Sequence, residues 1–151
     1  MNLERLASAA RFVRDLAPWR WFVTLTFHED VTNDHARWAL RSWLRIIARH
    51  VVHDHLTVAW GFERTSRDRL HIHLLLHCAD NARLFRPRLA RAIWRSTSKS
   101  AGVTRFNRYR SEEHGAEYVI KEGDWDATIV CSRKPRCRRP RRGCVIARNT
   151  W

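Results

Sequence analysis

The chain has 151 residues and a formal net charge of +14, with 29 Lys and Arg against 15 Asp and Glu. This length sets a single domain with a sizeable core, and no apolar run is long enough to span a bilayer or to serve as a secretory leader. Cys78, Cys131, Cys137 and Cys144 lack CxxC spacing, so reduced thiols, a cytoplasmic location and no zinc module are expected.

Leu3 to Leu16 reads as a short amphipathic helix with a structural role. Trp19 to Phe27 reads as a strand, with Trp21, Val23, Leu25 and Phe27 toward the core and Thr24 and Thr26 on the opposite face. Asn33 is the expected cap of a helix to about His50, whose apolar stripe is Leu40, Trp43, Ile47 and Val51. Leu56–Glu63 and Leu70–Cys78 then form a hairpin about a polar turn near Arg67. A second helix starts near Pro87 and runs to about Ser98. Its Leu89, Ala92 and Ile93 are expected inward, and Arg88, Arg91 and Arg95 make a basic stripe.

Val103 to Tyr109 reads as a short strand. Ser111 is the expected cap of a last helix with acids in its first turn. That helix places His114, Tyr118 and Lys121 on one face, with Ala116, Val119 and Ile120 turned elsewhere. Pro135, Pro140 and an arginine run mark a basic, flexible tail. The division is therefore a domain over residues 1–131 and a tail over 132–151. The order β-α-β-β-α-β-α predicts an α+β fold: an antiparallel sheet with helices packed on one face, the RRM-like split βαβ arrangement.

The chemistry concentrates at His71-Ile72-His73. Side chains alternate along a strand, so the two imidazoles share one face, about 6.5–7 Å apart at Cα, while Ile72, Leu74 and Leu76 form a buried row. The hairpin sets Phe62 against Ile72, Trp60 against Leu74 and Val58 against Leu76, and on the other face Glu63 against His71 and Gly61 against His73. A one-residue slip would bury the histidines, which fixes this register. Glu63, His71 and His73 then make a two-imidazole, one-carboxylate cluster suited to a divalent cation, with Gly61 expected to leave open space for a substrate. Two surface histidines, or a structural Glu–His pair, would give the same pattern. Equally, Tyr118 at a helix edge with Lys121 paired to Glu117 would need no chemistry.

Charge is segregated. Leu84 to Arg110 contains Arg86, Arg88, Arg91, Arg95, Lys99, Arg105, Arg108 and Arg110 and no acid. The tail carries Arg133, Lys134, Arg136, Arg138, Arg139, Arg141, Arg142 and Arg148, again without an acid. Such blocks are an electrostatic footprint for nucleic acid, and the tail lacks the apolar face that a membrane surface would require.

These features resemble the HUH endonuclease superfamily, in particular the rolling-circle replication initiators of plasmids and single-stranded DNA viruses. Phe22-Val23-Thr24-Leu25-Thr26-Phe27 looks like the family's first motif, His71-Ile72-His73 like its histidine–hydrophobic–histidine motif, and Tyr118-Val119-Ile120-Lys121 like its Y-x-x-K tyrosine motif. The resemblance runs from about Trp19 to Glu122, with one motif tyrosine where some initiators have two; Tyr109 lies outside the motif. It implies site-specific nicking and joining of single-stranded DNA through a 5′-phosphotyrosine link on Tyr118. Glu63, His71 and His73 would hold Mg²⁺ or Mn²⁺, and Lys121 would orient phosphate or ion. The implied partner is a single-stranded origin, hairpin or unwound, held by the α-helical arginines Arg88, Arg91 and Arg95 and by the tail. A host helicase or supercoiling would open duplex DNA, and no small-molecule cofactor is implied. A single-tyrosine HUH transposase, or a non-catalytic RRM-like binder of single-stranded nucleic acid, are the alternatives.

Overall fold

The computed structural model describes residues 3–49, 55–66, 68–78, 86–110, 112, 114–121 and 123–130. The tail from 132 onward, with its arginines Arg133 to Arg142 and the cysteines Cys137 and Cys144, lies outside the described residues, as do Cys131 and the expected cap Ser111. Helix α1 spans Leu3–Leu16, strand β1 Trp21–Phe27, α2 Asn33–Ile47, β2 Leu56–Arg64 and β3 Leu70–Cys78. Then follow α3 (Pro87–Thr97), β4 (Ala101–Arg108), α4 (Gly115–Ile120) and β5 (Trp125–Val130). The fold is α+β, with a five-stranded antiparallel sheet in the order β4-β1-β3-β2-β5. Its first four strands keep the RRM-like order, and β5, absent from the sequence-based reading, extends the sheet beyond β2.

Alternation along the strands sorts side chains onto two faces. On the back face, Val23, Leu25, Val58, Trp60, Phe62, Ile72, Leu74 and Leu76 pack against α2 and α3. Indole donors in this layer find carbonyls, Trp43 Nε1 on Ala90 at 2.9 Å and Trp94 Nε1 on Thr26 at 3.3 Å. Bulky tryptophans thereby fill the core without stranding a polar group. The front face carries a second, smaller cluster in which Ala59, Leu75 and Ala127 of the sheet meet Val13 of α1 and Ala116, Val119 and Ile120 of α4. Two helices thus cover one face, as expected, while α1 and α4 cover part of the other and leave the histidine end open.

Several local details differ from the sequence reading. The cap of α2 is Thr32, whose hydroxyl accepts from the backbone N–H of His35 at 3.2 Å, and Asn33 is the first helical residue. In α3 the inward residues are Ala90 and Trp94 with Ile93 half-buried; Leu89 and Ala92 are exposed, because the helix turns its small Ala90 and not Leu89 beneath Trp43. The last helix begins at Gly115 and not near Ser111. His114 adopts a left-handed conformation, φ 53°, which interrupts the helical path. His114 therefore precedes the helix and does not head a continuous stripe with Tyr118 and Lys121.

Gly61 is the seat of α4. A Cβ built there would overlap the Val119 carbonyl and approach the Asp124 carbonyl oxygen at 3.4 Å. The space expected to admit a substrate is filled by the helix backbone, because an absent side chain lets that backbone settle onto the sheet. Around the sheet's end, Arg37 of α2 holds Asp124 through Nη2 at 2.5 and 2.7 Å, and the Asp124 carbonyl accepts the amide of Phe62 at 3.3 Å. No described helix is long and apolar enough to cross a membrane. Gly61→Ala must push α4 off the sheet, so a loss of about 1–3 kcal/mol is expected. Urea unfolding monitored by circular dichroism measures it, and an unchanged midpoint would contradict this seating.

Candidate metal centre and its tyrosine

The site stands where the central strands meet. β3 pairs with β1 on one side and β2 on the other, so Thr24 opposes His73, Thr26 opposes His71, Glu63 opposes His71 and Gly61 opposes His73. The predicted hairpin register is observed at every pair from Val58↔Leu76 to Glu63↔His71. A turn closed by Asp68 N–H to Thr65 carbonyl at 2.8 Å, with Asp68 at φ 56°, sets that register.

His73 is 7 % exposed and saturated with contacts. Its Nε2 lies 2.7 Å from Glu63 Oε2 and its Nδ1 3.2 Å from Thr24 Oγ1. Phe22 stacks on its ring at 5.6 Å with planes 9° apart. Burial lowers the His73 pKa below the ordinary histidine range, and this outweighs the opposing pull of Glu63. His71 is lowered too, first by burial, then by the neighbouring His73 and, less, by Arg105 and Arg69, against the pull of Glu63. The Glu63 pKa falls because Lys121, and then His73, bond its carboxylate and outweigh its partial burial. With His73 neutral and Glu63 ionised, the partners select one tautomer: Nε2–H donates to Glu63 and Nδ1 accepts from Thr24.

Glu63, His71 and His73 offer ligand atoms all within 4.8 Å of one another, so together they can hold a metal ion. Two neutral imidazoles and a carboxylate are a donor set that divalent cations take readily. All three groups are shifted toward the deprotonated form that a cation requires. His77, on the same face and opposite Thr57, is not part of the group.

α4 brings the other two candidates to this cluster. The Tyr118 ring lies 5.8 Å from the His73 ring and 6.2 Å from Phe22, and the residue is 46 % exposed. Lys121 bonds Glu63 Oε1 at 2.7 Å, and its ammonium stands 5.9 Å from the Tyr118 ring. The partner of Lys121 is therefore Glu63 across the sheet, while Glu117 pairs with Arg14 of α1 at 2.6 Å. Tyr109 is half-buried beneath the start of α4, where a Cβ on Gly115 would come 3.0 Å from its ring, and burial raises its pKa. Phe22 and the cross-sheet role of Lys121 escaped the sequence reading. The parity of Phe22 with Thr24 was the available signal for the first.

Arg88, Arg91 and Arg95 are exposed on α3, in the layer behind the sheet, and Arg91 lies over Phe106 at 5.8 Å. They do not converge on the histidines. Cys78 is buried, its thiol pushed up to about 11 by desolvation.

Residues 20–123 match the family model described as replication-associated protein ORF2. No curated protein matches the sequence. The matched stretch contains the triad, Tyr118 and Lys121.

In the metal-free protein, unfolding exposes His71 and His73 to water, where they take up protons near pH 6.5; the folded rings resist until lower pH. The unfolded state therefore binds more protons between the depressed pKa and 6.5, so stability is complete above that window and is lost as pH falls through it. Thermal melts in EDTA should show Tm decreasing below pH 6.5. Excess Mn²⁺ should raise Tm at pH 7 by mass action, and His73→Gln should remove that rise. A rise of equal size in His73→Gln would place the ion elsewhere.

Proposed function

The chain belongs to the family of replication-associated protein ORF2, and on that premise we propose that it is an HUH-type endonuclease that nicks and rejoins single-stranded DNA to initiate rolling-circle replication. The observation that carries this reading is the placement of Tyr118, an exposed phenol with its ring 5.8 Å from that of His73 in the Glu63–His71–His73 cluster. An ion held by the triad, Mg²⁺ or Mn²⁺, would supply positive charge to the scissile phosphate.

Tyr118 is the nucleophile. Its phenolic oxygen attacks the phosphorus, the bond from phosphorus to the 3′-oxygen breaks, and the 5′-phosphate stays on the tyrosine. The departing 3′-oxygen leaves as a hydroxyl after gaining a proton, and its later attack on the phosphotyrosine reseals the strand. A free phenol with a pKa near 10 is mostly protonated at neutral pH. Lys121, anchored on Glu63 and close to the Tyr118 ring, orients the phosphate by charge. Thr24 and Phe22 hold the His73 ring from two sides, so the ligand that is most buried cannot turn away. The exposed α3 arginines Arg88, Arg91 and Arg95 would bind flanking DNA by charge, with the tail arginines as a second contact.

The family match to replication-associated proteins favours an initiator over a transposase with the same chemistry. A purely binding RRM-like role is disfavoured by the sheet's front face. Phe22, an aromatic in a central strand there, is packed on His73 and Tyr118 and is not free to stack on bases.

Tyr118→Phe should abolish cleavage of single-stranded oligonucleotides and the covalent protein–DNA adduct, with Kd for DNA changed by less than about threefold, since the ring retains its packing. Denaturing gels and mass mapping of the adduct read this directly. An adduct persisting in Tyr118→Phe would move the nucleophile, with Tyr109 tested next.

A further inference from the structure

The open half of the front face ends at β4, an edge strand paired only with β1. Arg105 opposes Thr24, the residue bonded to His73, and so stands on the same face as the triad. The two strand spacings between β4 and β3 put its Cα roughly 9–10 Å from that of His73, which an arginine side chain can largely bridge. Val103, two residues earlier and on the same face, is 60 % exposed, the most exposed large apolar side chain among the described residues.

This exposure has a built cause. The β1–β4 register shifts between Leu25 and Phe27. There the Thr26 hydroxyl accepts from the Val103 amide at 2.8 Å and donates to its carbonyl at 3.1 Å. A Cβ at Gly102 would meet that hydroxyl at 2.6 Å, so the glycine makes the bulge fit. Bulges bend an edge and re-aim its side chains, and they concentrate beside active sites. Here the bulge lies beside His71, whose opposing residue is Thr26.

α1 and α4 close the front face over Ala59, Leu75 and Ala127, while Val103 and Arg105 on its β4 side are exposed. An unpaired nucleotide has an apolar base and an anionic phosphate. Val103 and Arg105 present an apolar surface and a cation in adjacent positions of one strand face, within a stretch from Leu84 to Arg110 that contains no acid. We propose that Val103 and Arg105, set by the Thr26–Gly102 bulge, form a nucleotide subsite for the single strand that enters the triad across the β4 edge. The subsite rests on the nuclease reading for the identity of that strand.

The test is equilibrium binding of a fluorescein-labelled dT12 oligonucleotide to the full chain in EDTA, where no metal-dependent cleavage intervenes. Arg105→Gln should weaken binding about tenfold, as loss of a charge-assisted phosphate contact does, and reduce the log–log salt slope by about 0.7. Val103→Asp, at an exposed position, should weaken it at least as much, with Tm unchanged. Arg11→Gln, on the exposed side of α1, makes the same change in net charge away from the site and should have little effect. If Arg105→Gln weakens binding no more than Arg11→Gln, the subsite is wrong. Adduct formation by the unaltered chain is scored separately. No adduct, with an intact Arg105 effect, removes the nuclease reading and leaves the subsite; an adduct without an Arg105 effect does the reverse.

Discussion

A strand can give each residue to only one face, and that constraint on β3 governs the rest of this molecule. Ile72, Leu74 and Leu76 are fully buried in the back-face core, so His71 and His73 have no choice but the front. Because β3 lies between β1 and β2, the same ladder that fixes their direction also delivers Thr24 and Glu63 to them. Sliding either neighbour by one residue would drive a carboxylate or hydroxyl into the tryptophan-rich layer and bring apolar side chains forward. The site is therefore a by-product of the core's register, and the stability of the core maintains its geometry.

Glu63 links this rigid sheet to the helix above it. One carboxylate oxygen meets His73 and the other meets Lys121. Burial decides the protonation of the imidazoles, since it outweighs the attraction of Glu63, whereas hydrogen bonding decides that of the carboxylate. The two effects act in opposite physical ways yet leave the same result, a cluster of bases without their protons. Gly61 complements this from below: with no side chain opposite His73, the helix can come close enough for Lys121 to reach Glu63.

The hairpin register and the triad were legible in the sequence because a period of two is a strong signal when one face is uninterruptedly apolar. The α+β class, an antiparallel sheet of split βαβ type, followed from the order of the elements along the chain. Less legible were features set by tertiary contact. β5 is a short run, Trp125–Val130, whose partly buried pattern carries no clear alternation, and it forms because the edge of β2 is there to pair with. Thr32 and Asn33 are both good caps, and the local sequence does not choose between them. Gly61 reads equally as an opening or a seat; the outcome depends on a helix far along the chain. Lys121 had a local acid at Glu117, but Arg14 from the distant α1 takes that acid and leaves the lysine to Glu63.

The helix that carries Tyr118 is six residues long, far below the length at which an isolated helix holds together in water. What order it has is borrowed: the Gly61 seat, the apolar side chains beneath it, and ion pairs at either end to Arg14 and Glu63. The sheet loses nothing of its own ladder if those attachments are released. Tyr118 is thus held over the histidines by contacts from other elements and not by its own helix, so its position depends on α1, β2 and Glu63 as much as on α4 itself.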